Sequence, residues 1–209
     1  VLVVAITSNR GLCGAFNSNV IKEVKNRSDY YTGKQVDVFA IGKKGNDILS
    51  KTLTVIDNQS AIFDDLTFDN VAQIAEVLTQ KFVAGEYDRI ELVYNQFKNA
   101  ATQIVRTQQF LPLTPIVGGE VVASDYIFEP SEEEIISELI PKSIKLSIFR
   151  ALLESNSSEH GARMTAMDKA TDNAGELIKA LKLEYNRSRQ AAITKEILEI
   201  VGGAEALNA

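Results

Sequence analysis

The turn after the first apolar segment contains residue types that bind phosphate groups in some proteins. It reads Arg10-Gly11-Leu12-Cys13-Gly14, and a glycine turn between a strand and a helix can hold an anion with its backbone N–H groups. The turn has neither the full Gly-x-Gly-x-x-Gly pattern nor the Gly-Lys-Ser/Thr end of a P-loop. We therefore expect tight strand–helix packing here, with nucleotide binding as the alternative.

Other residues with reactive side chains have ordinary structural interpretations. Cys13 has no histidine near it in the sequence, so we expect a packed side chain and not a nucleophile. Because His160 is the only histidine, the chain has no histidine–cysteine cluster for zinc. The acidic run at 132–134 fits the start of a helix, where negative charge complements the helix dipole. Apart from the glycine turn, these residues predict no nucleophile, no cofactor site and no metal site.

The composition is that of an ordinary globular protein. Hydrophobic residues make up 45% and charged residues 24% of the 209 positions. No apolar run reaches the roughly 18 residues that a membrane-spanning helix needs. The formal net charge of −6 argues against a broad nucleic-acid-binding surface, and we expect no nucleic acid among the partners. A single cysteine excludes an internal disulfide and fits a reducing compartment.

Strand-like and helix-like segments alternate over the first part of the chain. Strands are predicted at 1–7, 35–41, 53–56, 89–96 and 103–111, and helices at 15–27, 43–50 and 69–84. This alternation predicts an α/β fold, with a Rossmann-like, mainly parallel sheet and helices on both faces. The last two strands are joined by a short polar segment, so we expect an antiparallel hairpin. The segment Gly42–Gly45 is either a second tight turn or a basic surface loop.

The character of the sequence changes after the last predicted strand. Prolines and glycines over 113–130 disfavour a long helix and predict a linker or surface loop. This gives an α/β domain at 1–112, the linker, and a helical segment at 131–209. Ser131 and Glu134 form a capping-box pattern that predicts a helix start. Pro141 either ends or kinks this helix or begins a new one, and a long helix follows from about residue 142.

An apolar stripe with alternating spacings of three and four residues follows this long helix. Its members are Met167, Ala170, Ala174, Leu177, Leu181, Tyr185, Ser188 and Ala192, continued one position round by Ile193, Ile197, Ile200, Ala204 and Leu207. This spacing is typical of a coiled-coil seam with a phase slip near 192. A lone helix of this kind needs a partner. The candidates are a segment upstream of Val1, another copy of the chain, or another protein.

Two sequence stretches resemble signatures of one known family. The first is SNRGLCGAFN at 8–17, and the second runs through SEHGARMTAM at 158–167, ATDNA at 170–174, LEYNRSRQAAITKEI at 183–197 and EIVGGAEAL at 199–207. The first resembles the turn after the first strand of the α/β domain of the F-type ATP synthase gamma subunit family, and the second resembles its C-terminal helix almost throughout. The resemblance covers essentially the whole chain. Gly161 departs from the small helix former usual there, and we expect the family's antiparallel N-terminal helix to be missing upstream.

The resemblance implies a mechanical function. In the family, the long helices form a coiled coil inside the ring of alpha and beta subunits, and the α/β domain is a foot bound to the epsilon subunit and the membrane c-ring. The chain would be the central-stalk rotor, without catalytic residues, on the cytoplasmic side of a bacterial inner membrane. A Rossmann-like nucleotide-binding enzyme with a helical oligomerisation arm and a coiled-coil adaptor are the alternatives. The exposed seam also allows a homodimer.

The resemblance also implies three groups of partner-binding residues. The residues expected to contact the beta subunit are Arg189, Gln190, Thr194 and Glu196. The residues expected in an apolar bearing at the helix tip are Ile197, Ile200, Val201 and Leu207. The residues expected in the foot that faces the epsilon subunit and the c-ring are Asp125, Tyr126, Phe128 and Glu129.

Overall fold

The structure is a computed structural model that describes residues 1–114, 129 and 131–208. The elements, in chain order, are β1 (Leu2–Ile6), α1 (Phe16–Tyr30), β2 (Asp37–Ile41), α2 (Lys43–Leu49), β3 (Thr54–Asn58), a 3₁₀ helix (Ser60–Phe63), α3 (Phe68–Val83), β4 (Ile90–Asn99), β5 (Thr102–Leu111) and α4 (Glu132–Asn208). Every predicted strand and helix of the first part is present. The 3₁₀ helix escaped prediction because four residues carry no periodic pattern.

The five strands form one sheet in the order β3-β2-β1-β4-β5. Strand β1 pairs in parallel with β2 and β4, and β2 pairs in parallel with β3. Strands β4 and β5 form an antiparallel hairpin. The predicted fold class and hairpin are therefore confirmed. All five residues of β1 are buried, which explains its unbroken apolar sequence, since a central parallel strand is covered on both faces.

Alternate side chains of β1 point into two separate cores. Leu2, Val4 and Ile6 pack on one face with residues of α3 and α4. Val3 and Ala5 pack on the other face with residues of α1 and with Leu49 of α2. The helices thus cover both faces, as the sequence predicted. The contribution of α4 to the first core, which includes Ile148 and Leu152, was not predicted.

Helix α4 is continuous from Glu132 to Asn208 and contains Pro141. The expectations that Pro141 ends a helix or begins a new one are therefore wrong. Proline removes one intrahelical hydrogen bond, and burial of Ile144 and Ile148 in the sheet's core supports the helix just beyond it. The backbone N–H of Glu134 donates to Ser131 Oγ at 3.3 Å, as the capping pattern predicts. None of the described helices has the length and apolar character needed to cross a membrane.

The chain divides into two compact units, Val1–Ala166 and Met167–Ala209. The first unit includes the sheet, α1 to α3 and α4 up to Ala166. The sequence instead placed the divisions at 112 and 131, because proline and glycine content marks linkers but carries no information on which part of a helix packs on a sheet. The division into separately folding segments stays a prediction.

Candidate partner-binding surface of the long helix

The part of α4 in the second unit is exposed along its whole described length. Residues 167–206 are all exposed except the half-buried Gly175. The stripe residues Leu177, Leu181 and Tyr185 expose 60%, 54% and 67% of their surface. Leaving side chains of this size in water forgoes about 1.5–3 kcal/mol each relative to burial. A row of such side chains at seam spacing indicates a binding surface.

The predicted partner-binding residues of α4 fall on two adjoining faces of the helix. Residues that are three, four or seven positions apart lie above one another on an α-helix. The first face contains Arg189, Glu196 and Ile200. The second face contains Gln190, Thr194, Ile197 and Val201. The faces are roughly 100° apart around the axis, and the side chain of Leu207 is outside the described residues.

The two faces differ in chemistry. The first presents a guanidinium and a carboxylate, both exposed, and a guanidinium can hold a partner carboxylate with two parallel hydrogen bonds. The second presents small polar and aliphatic side chains that make few directional bonds. On the remaining side of the helix, Lys195 Nζ lies 3.7 Å from Glu199 Oε1, and both side chains are exposed, so this pair contributes little stability.

The predicted foot residues are mostly outside the described part of the chain. Asp125, Tyr126 and Phe128 are not described, and Glu129 is exposed. Their assignment to a contact with the epsilon subunit and the c-ring stays a prediction.

The turn after β1 is held by side-chain hydrogen bonds and packs against helices. Asn17 Oδ1 accepts a hydrogen bond from the Ser8 backbone N–H at 2.9 Å. Asn17 Nδ2 donates to Cys13 Sγ at 3.2 Å. Cys13 is buried against Phe16 and Ala162, so its predicted packing role is confirmed. The contacts of this turn serve strand–helix packing.

The Gly42–Gly45 segment is neither a free turn nor a surface loop: Gly42 joins β2 to α2, and residues 43–45 form the first turn of α2 against the end of β1. Gly42 has φ of +114°, and a Cβ there would overlap the carbonyl oxygen of Thr7 and lie 2.6 Å from its carbonyl carbon. The Gly45 N–H donates to Thr7 Oγ1 at 2.9 Å. Glycine at position 42 is therefore required by both conformation and space.

Helix α4 covers the place where doubly wound sheets bind nucleotides. That place lies beyond the carboxyl ends of the strands where the strand order reverses, here between β1 and β4. Ser158 Oγ donates to the carbonyl of Asn95 at 3.0 Å, and Arg163 donates to the carbonyl of Gly11 at 3.3 Å. A ligand in this crevice would have to displace α4.

Sequence reasoning missed this packing of α4 on the β4–β5 hairpin. Ser155, Ser158 and Ala162 are small residues spaced three and four apart along the predicted helix. That spacing signals a face on which a helix approaches another element closely. The residues of the hairpin that meet this face carry no comparable pattern.

Comparison with known proteins gives one consistent result. The family model described as ATP synthase matches residues 1–207. The ATP synthase gamma chain of Flavobacterium psychrophilum is 76% identical over 208 residues, which cover 99% of this chain and 73% of that protein. The ATP synthase gamma chain of Flavobacterium johnsoniae is 72% identical over 210 residues, covering 100% and 73%.

Solved structures show the same likeness. The central stalk and c-ring structure of Tetrahymena thermophila mitochondrial ATP synthase contains a chain that is 29% identical, with a TM-score of 0.63. The match covers 81% of this chain and 75% of that one. A chain of the Euglena gracilis mitochondrial ATP synthase is 23% identical with a TM-score of 0.75, covering 99% and 72%, and shares the fold.

Proposed function

We propose, on the premise that this chain belongs to the ATP synthase gamma chain family, that residues 167–206 are the surface held by the catalytic head of the enzyme. The chain is the central-stalk rotor of an F-type ATP synthase, a subunit of a membrane-associated ATPase complex. It couples ion-driven rotation to the conformational cycle of the catalytic sites. The nucleotide-binding enzyme is not favoured. The observation that carries the proposal is that every residue of this apolar-striped segment except Gly175 is exposed.

The partners of each part follow from their surfaces. We assign the stripe on residues 167–206 to the alpha and beta subunits and to a second long helix of a gamma chain. The α/β domain is assigned to the epsilon subunit and the c-ring, on the cytoplasmic side of the membrane. In the isolated chain, the stripe of a second copy takes the place of these partners, because a long apolar stripe in water favours pairing.

The two faces of the helix suggest how rotation is passed to the beta subunits. Arg189 can form directional, charge-assisted hydrogen bonds with carboxylates of one beta subunit at a time. Ile197 and Val201 offer apolar contacts that allow sliding, since apolar burial is non-directional. Because the first face binds one beta subunit at a time while the second face slides, the three catalytic sites meet different surfaces of the helix. The chain itself then needs no catalytic group.

The test is the coupling of the assembled enzyme in membrane vesicles. The Arg189→Ala/Gln190→Ala double variant removes one residue from each face. We expect it to assemble and to pump several-fold fewer ions per ATP hydrolysed than the unmodified enzyme. Arg106→Ala, which removes an exposed arginine of strand β5, is the control and should pump normally. Normal coupling in the double variant would contradict the assignment of these two residues.

A further inference from the structure

A chain of buried hydrogen bonds links α4 to the β4–β5 hairpin and to α1. Ser158 is fully buried, and its hydroxyl donates to the Asn95 carbonyl at 3.0 Å. The Asn95 side chain, also buried, donates from Nδ2 to the carbonyl of Phe16 at 3.1 Å. Three elements are thus connected through two side chains. Buried hydrogen bonds of this kind are costly to break, because each lost partner leaves an unsatisfied polar group.

One turn further along α4, the helix touches the turn of the hairpin backbone to backbone. A Cβ at Gly161 would lie 3.1 Å from both the Cα and the carbonyl oxygen of Ala100. The Thr165 hydroxyl has one hydrogen to donate, and its Oγ1 lies 3.2 Å from the same carbonyl and 3.1 Å from the carbonyl of Gly161 in its own helix. The absence of a side chain at Gly161 lets the turn fit against the helix, and the Thr165 hydroxyl lies against the same part of the turn.

These contacts add directional restraints to the apolar packing of α4. Ile148 and Leu152 hold α4 on the sheet, and the hydrophobic effect that buries them has no preferred direction of its own. Hydrogen bonds weaken steeply when their geometry is distorted. The hydrogen bond of Ser158, and the close contacts of Gly161 and Thr165 with Ala100, therefore oppose twisting and sliding of α4 against the hairpin.

We propose that Ser158, Gly161 and Thr165 of α4, with Asn95 and Ala100 of the hairpin, form a mechanical joint that passes torque between the α/β domain and the long helix. The inference rests on the rotor function and names the residues that transmit its torque. Torque applied to the α/β domain reaches α4 through the joint before the helix enters the exposed segment 167–206. These are positioning residues, and they act on the catalytic sites only through the helix.

The experiment uses ATP synthase assembled with a complete gamma chain that contains this sequence. A rotation probe is attached through Ser50→Cys, at the exposed end of α2. Angular fluctuation of the probe during the pauses between steps reports how stiffly the α/β domain follows the helix. Gly161→Val forces a branched side chain against the Ala100 backbone, and Ser158→Ala removes the hydroxyl without adding bulk. Ser157→Ala, at the exposed neighbouring position, is the matched control.

We expect the angular variance to rise by about two-fold in both joint variants, because the directional restraint is lost, and to stay unchanged in Ser157→Ala. A merely destabilising substitution would lower the yield of complexes without changing the variance of those that assemble. Unchanged variance in Ser158→Ala overturns the joint, whether or not Gly161→Val assembles. A probe that does not rotate in the complex without joint substitutions contradicts the rotor function itself.

Discussion

Arg27 of helix α1 holds the buried carboxylate of Glu91 on strand β4 with two hydrogen bonds. Arg27 Nε donates to Oε2 at 2.8 Å and Nη2 donates to Oε1 at 2.6 Å. The Tyr31 hydroxyl donates to the same Oε1 at 2.6 Å. Burial, and then the hydrogen bond to Glu91, raise the pKa of Tyr31. The Glu91 side chain is only 4% exposed, so these partners supply the hydrogen bonds that water would otherwise provide.

Replacing Arg27 with methionine should destabilise the α/β domain. The substitution leaves the buried carboxylate with only the more exposed Arg89, whose Nε lies 3.5 Å from Oε1, as a counter-charge, so the loss should reach up to about 3–5 kcal/mol. The double variant Arg27→Met/Glu91→Leu removes the charge as well and should recover most of the loss. Urea unfolding followed by the near-ultraviolet circular dichroism of tyrosine measures both. A double variant no more stable than Arg27→Met would contradict this interpretation.

Gly42→Ala should prevent the α/β domain from folding. A Cβ at this position would overlap the Thr7 carbonyl, and the backbone of both residues would have to move, at a cost of at least about 4 kcal/mol. Gly85→Ala is the matched control, with a positive φ of +74° and nothing within 4 Å of the added carbon. It should cost only the roughly 1–2 kcal/mol of the left-handed conformation. If thermal unfolding showed equal losses of stability in Gly42→Ala and Gly85→Ala, contact of the added Cβ with Thr7 would not be the cause of the loss.

Leu152→Ala should lower the unfolding free energy of the first unit by about 2–5 kcal/mol, because the side chain is fully buried in the core. Leu183→Ala is the same change in the same helix, at a side chain that is 64% exposed. It should alter the unfolding free energy of the chain by less than about 0.5 kcal/mol. Similar small effects from both substitutions would mean that α4 is not part of the folded α/β unit.

Tyr87 should make stability depend on pH in the alkaline range. Burial, and then the hydrogen bond to Asp37, raise the pKa of Tyr87 to about 12. The neutral phenol is therefore favoured by folding. Its stabilising contribution is complete below the ordinary tyrosine pKa of about 10 and is lost as pH rises towards the folded value.

The measurement is the unfolding free energy at about pH 9 and about pH 11 in the original chain and in Tyr87→Phe. Phenylalanine has no proton to lose, so the variant should lose less stability between the two values. Equal losses in the two proteins would show that another group causes the alkaline dependence.

The regular elements were predictable because their patterns are local. The unbroken apolar sequence of β1 and the helical spacing of Val71, Ile74 and Leu78 are visible in short windows of sequence. The continuation of α4 through Pro141 was not predictable, because it depends on the packing of later residues of the helix on the sheet. The extent of α4 in the core likewise depends on contacts between residues far apart in the chain.

The partner-binding surface of α4 was only partly predictable from the sequence. The exposed stripe could be recognised from its spacing, and the structure places its residues on the faces that helical geometry requires. The joint at Gly161 could not be predicted, because a glycine within a helix normally indicates lower helix stability. Its contact with Ala100 is visible only in the structure. The roles of Arg189 and Gln190 came from resemblance and stay predictions.

Rotation of this chain inside the assembled enzyme tests the central claim most directly. The measurement is single-molecule tracking of a probe fixed to the α/β domain of a complete gamma chain, in ATP synthase immobilised through its catalytic head and supplied with ATP. We predict stepwise rotation of the probe in one direction. A stationary probe on complexes that hydrolyse ATP would contradict it.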